Sequence, residues 1–448
     1  MRASWLALVL FISSAAACGD TDVGGDGDGG NGNGDGGPVD ACVGLECFQV
    51  SCPGGGTTSL SGTVFAPNGS LPLYNVIVYV PNSALEPLPA GATCDRCGQP
   101  PSGNPVVQAV TDTEGRFVLE NVPVTDNLPL VMQVGKWRRQ VTIPTAVPAC
   151  SDTPLDSTVT RLPRNQSEGD IPQMALTTGS ADALECLLRK IGLDDSEFTS
   201  SSGSGRVHLY AGNGTPAFNA TLGGGSFANA TTLWDTTAHL MPYDVTFLSC
   251  EGSQRTSTKP TTARQALSDY TNLGGRVFAS HWHNIWIEGA PAATMWPAQI
   301  TPNHLSDLGN VTADINTGFA KGAALAQWLL NVGGSTMLGR IALTDTQHTV
   351  EAVAPTTERW ISLDTTSNNR PSVQYYQFTT PLDVNESQRC GKVVFSDIHV
   401  STGDDSASGI LFPNGCTTTG LTPQEKVLAF MIFDIASCVG PDIGFTPP

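Results

Sequence analysis

The apolar pattern of the chain changes near residue 165, and this change restricts the fold more than any other feature. Between 41 and 165, short runs rich in β-branched and aromatic residues, such as 117–122, alternate with turn residues. Between 170 and 440, strand-like runs alternate with helical stripes, as in 245–248 followed by 263–273. Repeated strand–helix units favour a parallel sheet covered by helices on both faces. The sequence therefore predicts a multidomain chain, with an all-β sandwich followed by an α/β parallel-sheet domain.

The individual elements follow from the same two patterns. In the first part, period-two alternation predicts strands at 60–65, 75–80, 106–111, 117–122, 130–134, 138–143 and 158–162. In the second part, apolar runs predict strands at 174–177, 245–248, 277–280 and 393–395, and helices at 180–191, 263–273 and 320–332. The last helix is expected to begin at a capping box, because Glu425 follows Thr422 by three residues.

Residues 1–17 resemble a lipoprotein signal peptide. Arg2 supplies positive charge, residues 5–12 form an apolar core too short to span a bilayer, and small residues precede Cys18. The resemblance implies cleavage before Cys18 and attachment of lipid, with palmitate among its acyl chains, to that cysteine. Because Gly19 rather than Asp follows, the sorting pattern of such lipoproteins implies the outer membrane, facing the periplasm or the cell surface. The alternative is an ordinary secretory signal that is cleaved nearby.

The segment that follows Cys18 has almost nothing to bury. Residues 19–40 are nearly all Gly, Asp and Asn, a composition that leaves a chain disordered. A calcium-binding β-roll is the alternative for Gly-Asp repeats, but it needs regularly spaced aliphatic residues, and the stretch has only Val23 and Val39. We therefore expect residues 18–40 to be the lipidated cysteine and a flexible stalk.

The charge of the chain argues against nucleic acid as a partner. The formal net charge is −19 and only 14% of the residues are charged. An acidic surface with few Lys and Arg residues repels a phosphate backbone. We expect a membrane contact through the lipid, and an envelope or extracellular glycan or protein as the further partner.

The cysteines predict disulfides rather than metal thiolates, because the chain is exported. There are twelve, and setting Cys18 aside leaves six in the first half and five in the second. We expect three bridges in the first half, two in the second and one free thiol, with the pairing left open by the spacing. The cysteines concerned are Cys42, Cys47, Cys52, Cys94, Cys97, Cys150, Cys186, Cys250, Cys390, Cys416 and Cys438.

Two stretches of the first folded part, 41–165, carry a family resemblance. They are 61–64 with the run 72–80, and the run 111–119 with Val122-Pro123. They resemble the opening and the central hairpin of carboxypeptidase regulatory-like domains, which are prealbumin-type sandwiches. In that family the domain is an accessory module without catalytic residues, so the resemblance implies an interaction or structural role.

Three runs of the second folded part, 170–440, carry another resemblance. The Asp-Val run 243–248, the Gly-Gly entry 273–278 and the late strand 391–395 resemble class I glutamine amidotransferase-like domains, which have a flavodoxin-like parallel sheet. The whole chain also resembles a group of uncharacterised myxobacterial-type lipoproteins.

Three predicted strands end at reactive side chains, and ligands of α/β sheets gather beyond the carboxyl ends of strands. Cys250 follows the strand 245–248 in a Ser-Cys-Glu-Gly turn that lacks the first Gly of a nucleophile elbow. In an exported chain a disulfide is favoured for Cys250 over a catalytic thiolate. His281 follows the strand 277–280, and His399 falls at the triad histidine that the amidotransferase resemblance implies. Cys250, His281 and His399 are therefore the catalytic candidates.

The sharpest prediction is a metal site. His281 and His283 are two residues apart, and on an extended chain their side chains point the same way. With His399, and with Asp397 as a further ligand, they would hold a divalent metal that activates water. The favoured interpretation, however, is that these histidines belong to a polar but inert pocket and hydrogen-bond to the backbone.

Three functions remain open on this evidence. The favoured one is a non-catalytic binding or structural lipoprotein of the cell envelope that needs no cofactor. The alternative is a metal-assisted envelope hydrolase using His281, His283 and His399. A carbohydrate-binding module would show exposed coplanar aromatic side chains on the β domain. The basic run 136–139 is expected to be a charged edge strand, or else to contact anionic glycans or headgroups.

Overall fold

The computed structural model describes residues 42–288, 295–296, 299–401 and 403–440. The predicted signal peptide 1–17, Cys18 and the predicted stalk lie outside the described residues. From Val43 onward the chain is one compact unit, mainly of β-strands with several helices. It contains several sheets, in agreement with the predicted combination of β and α/β structure.

The first seven strands form two sheets that share one apolar core. They are β1 (Ser59–Thr63), β2 (Ile77–Pro81), β3 (Pro105–Val110), β4 (Arg116–Glu120), β5 (Leu128–Val134), β6 (Trp137–Ile143) and β7 (Asp152–Pro154). One sheet has the order β4-β1-β7, and the other has the order β3-β2-β5-β6. Leu60, Val78 and Leu119 are fully buried in the common core.

Strand β4 shows the alternation that the sequence predicts, since Phe117 and Leu119 are buried while Val118 is 54% exposed. The predicted strand at 158–162 is wrong. The carbonyl of Asp156 accepts hydrogen bonds from the amides of Val159 and Thr160, which folds this segment into a turn. Strand β7 pairs with β1 instead.

Thirteen more strands follow in the described residues. They are β8 (Met174–Thr178), β9 (Phe198–Ser200), β10 (Val207–Ala211), β11 (Ala228–Asn229), β12 (Val245–Leu248), β13 (Arg276–Ser280), β14 (Ile300–Pro302), β15 (Gly309–Ile315), β16 (Arg340–Thr346), β17 (Val350–Val353), β18 (Glu358–Leu363), β19 (Ser372–Thr380) and β20 (Gly391–Ser396). Eleven of them form one sheet of order β11-β10-β8-β12-β13-β20-β19-β18-β15-β16, with β9 beside β10. Strands β14 and β17 pair with each other.

The large sheet has a parallel half and an antiparallel half. In sheet order, the strands β11-β10-β8-β12-β13-β20 run parallel to one another, as predicted. The strands β20-β19-β18-β15-β16 pair antiparallel. The sequence analysis missed the antiparallel half. In β16 only Ile341, Leu343 and Thr346 are buried, while Ala342 and Thr344 are exposed. An antiparallel strand with one solvated face has no continuous apolar run.

The helices are α1 (Leu184–Lys190), α2 (Thr231–Trp234), α3 (Thr237–Leu240), α4 (Thr261–Asn272), α5 (Ile285–Glu288), α6 (Ala320–Asn331) and α7 (Pro423–Ala436). The predicted capping box is confirmed at α7. The Thr422 side chain accepts a hydrogen bond from the Glu425 amide, and the Glu425 carboxylate accepts one from the Thr422 amide. These two bonds satisfy backbone donors that the first turn of a helix leaves free.

The sandwich packs directly on helices α6 and α7. Tyr74 stacks on Phe430 with ring centroids 6.0 Å apart, and Trp137 contacts Phe433 at 5.7 Å. The indole of Trp328 donates a hydrogen bond to the Pro72 carbonyl at 2.8 Å. The β part and the α/β part therefore share one apolar core.

The basic run 136–139 lies at edge strand β6, as expected, but two of its charges are buried. Lys136 is 8% exposed and pairs with Asp244, and Arg138 is 6% exposed and pairs with Asp170. The expected contact of Lys136 and Arg138 with anionic glycans or headgroups is thus wrong, because both charges are buried in ion pairs. They join the sandwich to the second half of the chain.

Four disulfides are resolved in full, and the predicted distribution of bridges is wrong. The pairs are Cys52–Cys150, Cys94–Cys390, Cys97–Cys438 and Cys186–Cys416. Cys42 and Cys47 are also disulfide-bonded. Two bridges connect the halves, because the 94–97 loop lies beside the C-terminal segment, where the Cys97 amide donates to the Val439 carbonyl.

Cys250 is free and buried, so its assignment as a disulfide cysteine is wrong, whereas the expected single free thiol is confirmed for the described cysteines. Several disulfides indicate an extracytoplasmic location. Among the described residues, no helix has the length and apolar character needed to cross a membrane.

Candidate functional site

Three adjacent strands of the parallel half bring three reactive side chains to one edge of the sheet. Strand β13 pairs in parallel with β12 on one side and with β20 on the other. Cys250 follows β12, His281 follows β13 and His399 follows β20. Carboxyl ends of neighbouring parallel strands lie side by side, which is where α/β folds bind ligands.

The three side chains meet. The Sγ atom of Cys250 lies 3.4 Å from Nδ1 of His281, and the His281 and His399 ring centroids are 5.1 Å apart. One ligand atom from each residue lies within 4.8 Å of those of the other two. Ligands of one tetrahedral zinc ion, at about 2.3 Å for sulfur and about 2.0–2.1 Å for nitrogen, lie about 3.3–3.6 Å apart. The Cys250–His281 distance already has this size, and a bound ion would draw the third ligand atom in from within 4.8 Å. The structure thus brings together all three catalytic candidates of the sequence analysis.

The backbone at His281 explains how its ring reaches Cys250. His281 is the first residue after β13 and has φ +40°, in the left-handed region that non-glycine residues rarely adopt. The chain then turns at once into a short 3₁₀ helix, His281–Asn284. Such backbone strain costs about 1–3 kcal/mol and concentrates at functional sites.

His283 does not join the cluster, and the predicted site of three imidazoles is therefore wrong. The prediction assumed an extended chain, whereas these residues form the 3₁₀ helix, which turns His283 away from His281. The His283 ring is fully buried, its Nε2 lies 3.0 Å from the Ser249 carbonyl oxygen, and its Nδ1 accepts a hydrogen bond from Trp286 at 2.9 Å. Both ring nitrogens are thus occupied within the protein.

Asp397 is also not a member of the cluster. Its carboxylate accepts hydrogen bonds from the amide and the hydroxyl of Thr349, at 3.0 and 2.7 Å. The Thr349 carbonyl in turn accepts from the Asn303 amide at 2.8 Å. Asp397 therefore holds the 349 segment, and with it the loop that carries His304, instead of serving as a ligand.

Burial keeps the Cys250 and His281 side chains neutral. Desolvation raises the pKa of the Cys250 thiol to about 12. Desolvation, together with the nearby His399, lowers the pKa of His281 to about 2. A thiolate–imidazolium pair, the activated form of a cysteine nucleophile, is thus disfavoured. A bound cation would reverse this preference, because a metal ion deprotonates a coordinating thiol.

A second acid–base pair, which the sequence analysis missed, lies on the solvent side of the cluster. His304 Nε2 is 2.6 Å from a carboxylate oxygen of Glu288, whose hydrogen bond raises the pKa of His304. The His304 ring stacks on Trp282 at 5.1 Å, and Trp282 stacks on His281 at 4.7 Å. His304 lies on a loop without a motif, so its sequence neighbours gave no indication of this arrangement.

The buried Glu185 side chain, in the first turn of α1, is expected to make the stability of the protein depend on pH. The residue is 1% exposed, its Oε1 accepts a hydrogen bond from the Ser406 hydroxyl, and desolvation raises its pKa to about 7 from 4.5. The folded protein keeps this proton where the unfolded chain has released it. The free energy of unfolding should therefore fall by about 3 kcal/mol as the pH rises from about 4.5 through about 7.

The variant Glu185→Gln stays neutral and should lose this component of the pH dependence. Urea unfolding at pH 5 and pH 7.5 gives the change of the unfolding free energy with pH for wild type and variant. The difference between these two changes isolates the contribution of Glu185 from that of the other carboxyls. Equal changes in the two proteins would contradict the prediction.

The sandwich also carries an open groove of about 1220 Å³ along edge strands β3 and β4. Its aromatic lining residue, Phe117, is only 3% exposed. The exposed coplanar aromatics expected of a carbohydrate-binding module are thus not found in this groove.

Comparisons with known proteins reveal only distant likenesses. No protein-family model matches the sequence, and no curated protein matches it. Among solved structures, a ThuA-like protein from Bacteroides uniformis is similar at 8% identity and TM-score 0.32, over 59% of this chain and 91% of that one. A cytoplasmic protein from Salmonella typhimurium is similar at 13% identity and TM-score 0.27, over 58% and 98%. A type II cohesin–X-dockerin complex from Acetivibrio cellulolyticus matches at 17% identity and TM-score 0.16, over 33% and 78%.

Proposed function

We propose that this chain is an exported cell-envelope protein that binds one divalent transition-metal ion, of the zinc class, at Cys250, His281 and His399. The observation that carries the proposal is the convergence of these three ligand atoms within 4.8 Å of one another. Thiolate and imidazole together select zinc and similar soft or borderline metals over magnesium or calcium.

The chemistry proposed for this site is metal-assisted hydrolysis. Three protein ligands leave the fourth position of a tetrahedral zinc ion open for water, which distinguishes catalytic from structural zinc sites. A zinc ion held by Cys250, His281 and His399 would supply a water of lowered pKa. His304 is held by Glu288 on the solvent side, and the hydrogen bond to that carboxylate raises the pKa of its imidazole. It provides a general acid or base beside the site. Relative to the sequence prediction, Cys250 takes the place of His283.

The proposal also covers the cellular location of the protein and its domain architecture. We place the mature chain in the outer membrane as a lipoprotein, anchored by lipid on Cys18 and separated from the bilayer by the stalk 18–40. We take the sandwich as a prealbumin-like accessory module, and the second part as a divergent flavodoxin-like, amidotransferase-like domain. The substrate is then an envelope or extracellular glycan or protein, and nucleic acid is not a partner. Four disulfides and the acidic composition support this placement.

Metal titration tests the proposal. Chelator-treated full-length protein should take up one equivalent of zinc by elemental analysis, and cobalt should give a thiolate-to-metal charge-transfer band. Cys250→Ser should abolish that band. Cys250→Ser and His399→Ala should each weaken zinc binding by more than the about 10–100-fold that is lost with a residue that only supports a ligand.

The matched control is His239→Ala, because the His239 side chain is 57% exposed and pairs with Asp235 outside the cluster. This variant should bind zinc like the wild type. Hydrolysis of a chromogenic ester should depend on zinc and fall with Cys250→Ser. Wild-type protein that binds no zinc would overturn the proposal in favour of a non-catalytic envelope protein.

A further inference from the structure

One buried carboxylate, Asp182, and the loop that carries it contact the segments of all three proposed ligands. Asp182 is 3% exposed and lies in the loop between β8 and α1. Its Oδ2 accepts a hydrogen bond from the Ser280 hydroxyl at 2.5 Å, and its Oδ1 accepts one from the Val400 amide at 2.8 Å. Ser280 immediately precedes His281, and Val400 immediately follows His399.

The same loop also fixes the Cys250 segment. The amide of Ala181 donates a hydrogen bond to the Cys250 carbonyl at 3.1 Å. Gly179 packs so closely that a Cβ on it would overlap the Cys250 and Ser249 carbonyl oxygens. Residues 179–182 therefore touch the backbone beside each proposed ligand.

No Lys or Arg in the described part of the chain forms an ion pair with Asp182, and the basic group that acts on its carboxylate is the imidazole of His399, one of the proposed ligands. An ionised carboxylate in such a buried place is unfavourable unless a positive charge lies close by. A divalent cation bound by Cys250, His281 and His399 would supply that charge.

We infer that Asp182 is a positioning residue of the proposed metal site, which orients the His281 and His399 segments and contributes the negative charge that balances the metal. The inference rests on the proposed metal site. Residues that orient the ligands of a metal in this way tune its affinity, typically by about 10–100-fold.

Two substitutions separate the charge of Asp182 from its hydrogen bonds. In Asp182→Asn the amide can accept from Val400 and donate to Ser280, so that only the charge is lost. Asp182→Ala loses the charge and both hydrogen bonds. Ser280→Ala removes a single hydrogen bond and keeps the carboxylate, and serves as the matched control that still folds if Asp182→Ala does not.

Zinc affinity is measured by chelator competition. The ligand-field spectrum of the cobalt form and the unfolding transition of the metal-free protein are recorded for the same variants. Zinc affinity should fall about 10-fold in Asp182→Asn and about 100-fold in Asp182→Ala, and only a few-fold in Ser280→Ala. The cobalt spectrum should change in Asp182→Ala, because the imidazoles are no longer held in place.

The outcomes distinguish the two proposals. If the wild type binds no zinc, the proposed metal site is overturned, and the inference about Asp182 with it. A wild type that binds zinc, while Asp182→Asn and Asp182→Ala bind it equally well with an unchanged cobalt spectrum, overturns the role of Asp182 alone. A lower unfolding midpoint without a change in zinc affinity or spectrum would show a purely structural role and also overturn the inference.

Discussion

Replacing Cys94 and Cys390 by alanine is expected to lower the free energy of unfolding by about 4 kcal/mol, and removing the Cys97–Cys438 bridge as well should bring the total to about 9 kcal/mol. The two bridges span 296 and 341 residues and share the short 94–97 loop. With one bridge intact, the other closes an effective loop of only about 50 residues, which in the chain-entropy account corresponds to about 4 kcal/mol. When both are absent, the unfolded chain also regains the entropy of a loop of about 110 residues, because the Cys186–Cys416 bridge shortens the path from Cys97 to Cys438. This second loss is about 5 kcal/mol.

Urea unfolding of the single and double bridge variants measures these losses, and thiol titration of the unfolded proteins verifies that the remaining bridges are intact. A loss of about 9 kcal/mol is comparable with the whole stability of a typical protein, about 5–15 kcal/mol, so the variant without both bridges should be largely unfolded at 37 °C. The variant without Cys52–Cys150, whose separation is 98 residues, is the comparison within the sandwich. Unchanged midpoints in the single variants would show that the bridges do not constrain the unfolded chain.

Much of the fold could be predicted because burial on both faces leaves a clear pattern. The strand β12, Val245–Leu248, was predicted at its observed bounds, and α7 was predicted from its capping box. The elements that escaped prediction are half-exposed, such as β16, or hold their place by tertiary pairing, such as β7. The bridges between halves also escaped prediction, because spacing along a chain does not reveal that residues 94 and 390 become neighbours.

The candidate site could be predicted to the level of strand ends and no further. Cys250, His281 and His399 were found because parallel strands place their carboxyl ends together. His283 was included wrongly, because side-chain direction depends on whether the chain is extended or helical after the strand. Asp182 carries no local motif, and only the folded structure shows that its two oxygens contact the segments of His281 and His399.

Lys136→Met is expected to destabilise the protein by about 3–5 kcal/mol, since it leaves a buried charge without its partner. The Lys136 Nζ donates to the carbonyls of Pro89 and Gly91, at 2.7 and 2.6 Å, and to the Asp244 carboxylate at 2.5 Å. Asp244 is 5% exposed and its other oxygen accepts from the Gln173 amide at 2.7 Å. This contact joins the turn of the β5–β6 hairpin to the start of strand β12 in the large sheet.

The pH dependence of this loss identifies its cause. Burial already raises the pKa of Asp244, although Lys136 opposes the shift, so in Lys136→Met the carboxyl should protonate more readily in the folded protein. The destabilisation relative to wild type should then be small at pH 4 and grow as the pH rises towards 7, because keeping the buried carboxylate ionised becomes increasingly costly. The double variant Lys136→Met/Asp244→Asn carries no charge at either position and should recover part of the stability at pH 7. Urea unfolding at both pH values measures the loss of stability. If the loss is equal at pH 4 and pH 7, and the double variant recovers none of it, the cause is the lost packing of the Lys136 side chain rather than the unpaired Asp244.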